Sequence, residues 1–210
     1  MLYVLDIDDT IYLERDYVRS GFCVVGRWLA ENQNIEDFFE YAWGLFESGV
    51  RGNVFDMVLE EMGIYDKQLV INLVDLYRRH NPKISLSPDA INFLKRHEKR
   101  DLAIISDGYS CTQWAKIRAL NLEQFIDKII VTDDWGKEFW KPNSRGYIEV
   151  QGNTDPRECI YIGDNPQKDF IAPRQLDWAP SIRIRRKLSL HYELDTPDIY
   201  CEISTLDEIV

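Results

Sequence analysis

The sequence has no run of about 18 apolar residues, so no segment reads as a membrane span. It is poor in cysteine, and Cys23, Cys111, Cys159 and Cys201 are too scattered for CxxC or Cys/His ligand spacing. They read as reduced, mostly structural thiols of a cytoplasmic protein, with disulfide pairing left open. Basic excess is also missing: 36 acidic residues face 25 basic ones, for a net charge of −11. That balance argues against a nucleic-acid binder, which needs clustered Lys and Arg, and against docking on an anionic membrane. The opening MLYVLDIDDT lacks a basic flank and meets acid after five residues, so it is not read as a signal peptide. There is no internal repeat and no Gly/Ser-rich linker. What is present is a 45% hydrophobic, 12% aromatic chain of 210 residues. A chain of that size buries about 70% of its surface, which excludes disordered and low-complexity classes and predicts one domain or a core with an insertion.

Short apolar runs that stop at polar clusters organise the chain. Leu2–Leu5 ends at Asp6, Leu102–Ile105 at Ser106-Asp107-Gly108, Lys128–Val131 at Thr132-Asp133-Asp134, and Cys159–Ile162 at Gly163-Asp164. Each has the length and continuous hydrophobicity of a strand buried on both faces. Ser181–Ile184 is a weaker candidate, expected at a sheet edge. Helical patterns lie between them at Pro88–His97, Tyr109–Leu120, Ser144–Val150 and Gln167–Leu176, with Ser87 the expected N-cap of the first. Alternating strand and helix predicts an α/β fold: a three-layer, doubly wound parallel sheet with its site at the C-terminal strand ends. From about Glu14 to Asn81 the pattern changes to four helical stretches, Tyr17–Glu31, Ile35–Glu47, Val54–Met62 and Lys67–His80, with no strand candidate. These predict an inserted helical subdomain.

Four polar clusters carry the candidate chemistry. In Asp6-Ile7-Asp8-Asp9-Thr10, residues two apart at a strand end point the same way, so Asp6 and Asp8 can share a locus that needs a cation such as Mg²⁺. The plainer reading is a strand terminator and a helix cap. In Gly163-Asp164-Asn165-Pro166-Gln167-Lys168-Asp169, Asp164 can reach the same metal, and Asp169 is either a further partner or a helix-start acid. Ser106 begins a possible phosphate cradle, or only caps the next helix. Lys141, before Pro142, offers a cation on an extended backbone, or is a surface turn.

The order DxDxT, Ser, Lys-Pro, GDxxxxD, each cluster after a strand-like run, resembles the haloacid dehalogenase-like (HAD) superfamily across the whole chain. The resemblance implies a Rossmann-like core over residues 1–13 and 84–210, with a helical type-one cap over 14–83. It implies a Mg²⁺-dependent phosphatase acting on a small phosphorylated metabolite, with Asp6 as nucleophile and Asp8 as general acid and base. It places Mg²⁺ on Asp6, the main-chain carbonyl of Asp8 and Asp164, with Asp169 as a direct or outer partner. It gives Ser106, Lys141 and the amides around Ile7, Asp8 and Asp107 to the phosphoryl group, Lys141 also restraining Asp6. The acid at Asp8 disfavours a dehalogenase or a phosphonate cleaver. Asp107 departs from the usual Asn, Thr10 is expected to steady the loop through its hydroxyl, and Asp9 receives only a turn or capping role.

Within the insertion, Ser48-Gly49-Val50-Arg51-Gly52-Asn53 supplies a flexible turn with one cation, and Arg51 is the candidate for substrate specificity. Phe38, Phe39, Tyr41, Trp43 and Phe46 are expected in the cap core, and Arg183-Ile-Arg185-Arg186-Lys187 at a solvated strand end. His80, His97 and His191 lie outside every motif and read as structural or surface residues. The alternatives are a phosphosugar mutase of the same superfamily and a catalytically quiet binding or regulatory protein on this fold.

Overall fold

The computed structural model describes residues 1–197 and 200–209. Its chain divides into two compact units, Met1–Arg15 with Ile84–Val210, and Asp16–Lys83.

The first unit holds strands β1 (Leu2–Leu5), β2 (Leu102–Ser106), β3 (Lys128–Val131), β4 (Cys159–Gly163), β5 (Ile182–Ile184) and β6 (Cys201–Ile203). They form one parallel sheet in the order β3-β2-β1-β4-β5-β6. Every residue of β2 is buried, as continuous apolar runs require when both faces are covered. Residues of β1 alternate between two helical layers. Leu2 and Val4 join Tyr147 and Val150 of α7 (Arg145–Gln151) and Phe170 in one cluster. Tyr3 sets its ring edge-on to Phe93 of α5 (Pro88–Arg96), at 5.4 Å. The result is the three-layer α/β core. From β1 the order runs outward to β2 and β3 on one side, and through β4 to β5 and β6 on the other. The crevice beyond the carboxyl ends of β1 and β4 is therefore the topological switch point, where such sheets hold ligands.

Two local expectations are corrected. Strand β5 is not an edge, because β6 pairs beyond it; only Ile203 of that three-residue strand is buried, so it leaves no sequence signal. The helix expected from Gln167 is only α8 (Ile171–Gln175), because residues 165–169 form a turn closed by Asp169 N–H to Asn165 O at 3.0 Å and Asn165 N–H to Asp169 Oδ2 at 3.0 Å. Ser87 is the N-cap of α5 with Pro88 at the first helical position, as expected, although its side chain makes no capping bond.

The second unit is helical: most of α1 (Glu14–Gln33), then α2 (Phe38–Glu47), α3 (Val54–Glu61) and α4 (Lys67–Arg79). Its interior is aromatic, with Phe22, Phe38 and Phe55 mutually within 5.7–6.4 Å and Tyr77 5.7 Å from Phe55. Phe38 and Phe46 are core residues, Phe39 and Trp43 are half-buried, and Tyr41 is exposed, against the expectation that all five are core. His80 is buried and satisfied by Ser20 Oγ and the Tyr77 carbonyl.

Candidate active site

The switch point gathers residues from four strand ends. Asp6 follows β1 directly and continues its pairing, its N–H donating to Ile162 O at 2.9 Å. Asp164 follows β4. The carboxylates of Asp6, Asp164 and Asp169 are all buried and can place an oxygen each within 4.8 Å of the others. Three like charges so close cannot remain ionised without cations. Burial, with Lys141 pulling back and Asp169 pushing further, raises the Asp6 carboxyl to about 6. Burial plus Asp169 and Asp6 drive Asp164 well above the carboxylate range.

Lys141 is the cation built into this cluster. Its ammonium is wholly buried and donates to Asp6 Oδ1 at 2.8 Å, Tyr161 Oη at 2.8 Å and Asp169 Oδ1 at 2.9 Å. An ammonium has three N–H donors, and three acceptors occupy them. Burial alone would lower its pKa, but Asp169 and Asp6 carry it well above the ordinary lysine value. The close fit requires Gly163: a Cβ there would come 2.6 Å from Asp169 Oδ2. One acceptor is left over. Asp164 Oδ2 is buried with no hydrogen-bond partner among the described residues.

Asp8 has parted from Asp6. Its carboxylate is outside the acidic triad and is gripped by Lys116 of α6 (Ser110–Ala119), whose Nζ lies 2.7 and 2.8 Å from its two oxygens. Tyr12 Oη donates to the same carboxylate, and Gln113 Nε2 approaches it at 3.4 Å. Burial would raise the Asp8 carboxyl, but the Lys116 charge and hydrogen bond, with the Tyr12 hydroxyl, outweigh it and hold the pKa low. Gln113 also accepts from Ser106 Oγ at 2.9 Å, so the hydroxyl expected to face a phosphoryl group is donated inside the protein. A Cβ on Gly108, at φ +122°, would lie 2.6 Å from Gln113 Nε2, which explains the glycine after Ser106-Asp107.

Asp107 is expected among the phosphate-binding residues through its main-chain amide, and its side chain, which departs from the usual Asn, is a loop anchor. It accepts the Lys141 main-chain N–H at 3.0 and 3.1 Å and Thr132 Oγ1 at 2.7 Å, and Lys168 Nζ stands 3.5 Å away. The Thr10 hydroxyl is buried with no hydrogen-bond partner among the described residues, and the Thr10 carbonyl is bound instead by Arg186 Nε at 2.9 Å. Asp9 adopts a left-handed backbone (φ 53°) and accepts from Glu14 N at the start of α1 and from Leu190 N. Nor is the 183–187 run a solvated end. Arg183 is fully buried, donating to the carbonyls of Asp164, Leu194 and His191, and Arg186 pairs with Asp89 at 2.8 Å. His191, remote from the motifs in sequence, meets Asn165 Nδ2 through Nε2 at 3.0 Å. Arg51 lies in the helical unit, where its guanidinium binds the Phe46 and Val50 carbonyls and covers the Phe46 ring.

The sequence reading missed Lys116, Gln113, Tyr161 and Lys168. Gln113 and Lys116 carried a usable signal, three residues apart on the helix after Ser106 and so on one face. In sequence, a buried Lys inside a helix is indistinguishable from a solvated one.

A buried carboxylate triad, a lysine locked onto it and an acid two residues beyond, all at the switch point of a parallel sheet, define a hydrolase-type site on a Rossmann-like core. The haloacid dehalogenase-like hydrolase family model matches residues 30–178, and the chain belongs to that family. A protein of Methanocaldococcus jannaschii named glyceraldehyde 3-phosphate phosphatase is 26% identical, over 99% of this chain and 94% of its own. The identically named protein of Methanothermobacter thermautotrophicus is 26% identical over 79% and 77%. Among solved structures, a magnesium-bound protein of Bacillus subtilis described as the HAD-hydrolase YfnB superposes with a TM-score of 0.67 at 23% identity, over 99% of this chain and 95% of its own.

Proposed function

We propose that the chain is a Mg²⁺-dependent phosphatase that hydrolyses a small phosphorylated metabolite through an aspartyl-phosphate on Asp6. The observation that carries this reading is the buried triad Asp6, Asp164 and Asp169 with its orphaned oxygen, Asp164 Oδ2. An all-oxygen, acidic donor set with one unsatisfied buried acceptor fits Mg²⁺. Asp6, Asp164 and the main-chain carbonyl of Asp8 would hold the ion, with Asp169, already bonded to Lys141 and Asn165, orienting them. The ion supplies charge neutralisation between the carboxylates and an incoming phosphate dianion.

The chain's own residues account for the remaining chemistry. Lys141 fixes one oxygen of Asp6, leaving the other to attack phosphorus as the ester P–O bond breaks. Asp8 gives its proton to the leaving alkoxide, then takes one from the water that attacks the aspartyl-phosphate, releasing phosphate and restoring Asp6. The Lys116 and Tyr12 contacts favour Asp8 as the carboxylate, the form that serves the second half of the cycle. Protonation for the first half requires the Lys116 contact to lengthen. Phosphoryl oxygens are met by the main-chain N–H groups of Ile7, Asp8 and Asp107, with Ser106 contributing once Gln113 releases it.

The helical unit serves as the cap that selects the substrate, and the name shared by the two archaeal relatives makes glyceraldehyde 3-phosphate the first compound to assay. Arg51 belongs to this assignment only if Arg51→Ala alters KM or kcat. Four free cysteines and a helix set with no apolar spanning segment among the described residues fit a cytoplasmic setting. The test is release of inorganic phosphate from an aryl phosphate with and without Mg²⁺, in wild type and Asp6→Asn. Turnover that needs Mg²⁺ and disappears in the variant supports the reading. Turnover that is equal in both, or that requires a bisphosphorylated sugar, overturns it, the latter in favour of a mutase.

A further inference from the structure

We infer, on the Mg²⁺-dependent reading above, that the loop after β5 is a brace for the metal ligands: Arg183 and His191 are positioning residues that hold the Asp164 loop as the ion requires. Asp164 Oδ2 accepts no hydrogen bond among the described residues, so its direction is set through the main chain. Arg183 grips that main chain. It sits on β5 opposite Gly163, the residue before Asp164, and its Nε donates to the Asp164 carbonyl at 3.1 Å. The rest of the guanidinium turns to the loop after β5. Nη2 donates to the His191 carbonyl at 2.7 Å, and Nη1 to the Leu194 carbonyl at 2.6 Å and to the Thr196 hydroxyl. One planar fork thereby fixes three peptide groups of two separate loops. The side chain is fully buried, and Glu202 of β6 stands 3.7 Å from Nη1, outside hydrogen-bond distance. An apolar side chain would fill a buried strand position at a smaller desolvation cost, so what the arginine contributes is the fixed geometry of the loops.

The same loop reaches the site at two further points. Asn165 accepts the Gln167 N–H through Oδ1 at 3.0 Å, which turns its Nδ2 to donate to His191 Nε2 at 3.0 Å. Asn165 in turn closes the acid loop, its N–H donating to Asp169 Oδ2 at 3.0 Å and its carbonyl accepting the Asp169 N–H. One residue before His191, the Leu190 N–H donates to Asp9 Oδ2 at 2.7 Å. Asp9 follows Asp8, whose carbonyl belongs to the proposed ligand set. Residues 190–194 therefore tie the loop after β1 to the loop after β4, although none of them lies in the four motif clusters. Partners of this kind decide how much a site must reorganise to take its ion, and losing one costs metal affinity even when every ligand remains.

The experiment is calorimetric titration of MgCl₂ into wild type, Arg183→Met, His191→Leu and His191→Gln, well below the metal-free melting temperature of each. The Mg²⁺ concentration that gives half the maximal rate of aryl phosphate hydrolysis is measured alongside. Arg183→Met is expected to raise the Mg²⁺ dissociation constant by about ten- to a hundredfold, and the half-saturating Mg²⁺ in step. His191→Leu is expected to raise it about fivefold, the worth of one hydrogen bond. His191→Gln, which keeps an acceptor for Asn165, is expected to restore most of that loss. A folded Arg183→Met or His191→Leu that binds Mg²⁺ within twofold of wild type overturns the inference, however low it melts, and leaves the phosphatase reading standing. Equal losses in His191→Leu and His191→Gln overturn it too, since the contact with Asn165 is then not the cause. If Arg183→Met does not fold, the two His191 variants decide. If wild type binds no Mg²⁺, the Mg²⁺-dependent reading falls and takes this inference with it.

Discussion

Replacing Lys116 by Met isolates the least expected interaction in the site. The Lys116 side chain is 2% exposed and that of Asp8 19%, with Nζ 2.7 and 2.8 Å from the two carboxylate oxygens. Methionine fills nearly the same volume without charge, so the packing loss is small and the effect is electrostatic. Among the described residues it leaves the Asp8 carboxylate hydrogen-bonded to the Tyr12 hydroxyl, with a long contact to Gln113. Removing one member of a buried pair costs roughly 3–5 kcal/mol, and the partial exposure of Asp8 puts this case at the lower end, about 3 kcal/mol. For a chain of this size about 3 kcal/mol lowers the melting temperature by roughly 6–12 °C. The assay is thermal unfolding at pH 7 without divalent cations for wild type, Lys116→Met, Asp8→Asn and the double variant. Because the double variant buries no charge at either position, it should be more stable than Lys116→Met alone. The Lys116→Met deficit should also shrink toward pH 5, where the orphaned Asp8 takes up a proton. A drop below about 2 °C, or single effects that simply add in the double variant, would refute the reasoning.

Asp164→Asn should raise the melting temperature of the metal-free protein, since it removes the cost of holding an ionisable carboxyl protonated beside Asp6 and Asp169, and should abolish any rise on adding MgCl₂; an unchanged Mg²⁺ response would remove Asp164 from the metal site. Stability should also depend on pH with opposite signs in two windows. Burial raises the Asp6 and Asp9 carboxyls from 3.8 to about 6, so between those values the folded chain holds protons the unfolded chain has released, and metal-free protein should gain stability as pH falls from 7 to 5. Below about pH 4 the sign reverses, because Asp8 and Asp89 have depressed carboxyls whose stabilisation is lost as they protonate. A melting temperature that is flat or falling from pH 7 to pH 5 would contradict the placement of Asp6 and Asp9.

The strands that build the site were legible because burial on both faces writes an uninterrupted apolar run, and each run stopped at the polar residue the sheet presents to the crevice. LYVL before Asp6, LAII before Ser106 and CIYI before Gly163-Asp164 all behave this way. The four helices of the insertion were legible for the same kind of reason, a 3.6-residue period with no strand to interrupt it. What the sequence alone determined was thus the α/β order of elements and the identity of the acids at their ends. Which acid faces which cation was decided only by the tertiary structure. Local spacing predicted Asp6 and Asp8 on one locus, yet Lys141, 135 residues from Asp6, and Lys116, 108 residues from Asp8, draw the two carboxylates to different partners. The same holds for Asp107, whose role is set by Thr132, Lys141 and Lys168, and for Arg183, which reads as a solvated cation and is a fully buried staple under the Asp164 loop. Charge pairing falls off with distance in space and is indifferent to distance along the chain, so periodicity cannot encode it. The hydrophobic pattern fixes where the strands end, and the folded sheet, by closing β1 against β4, decides which charges must live together there.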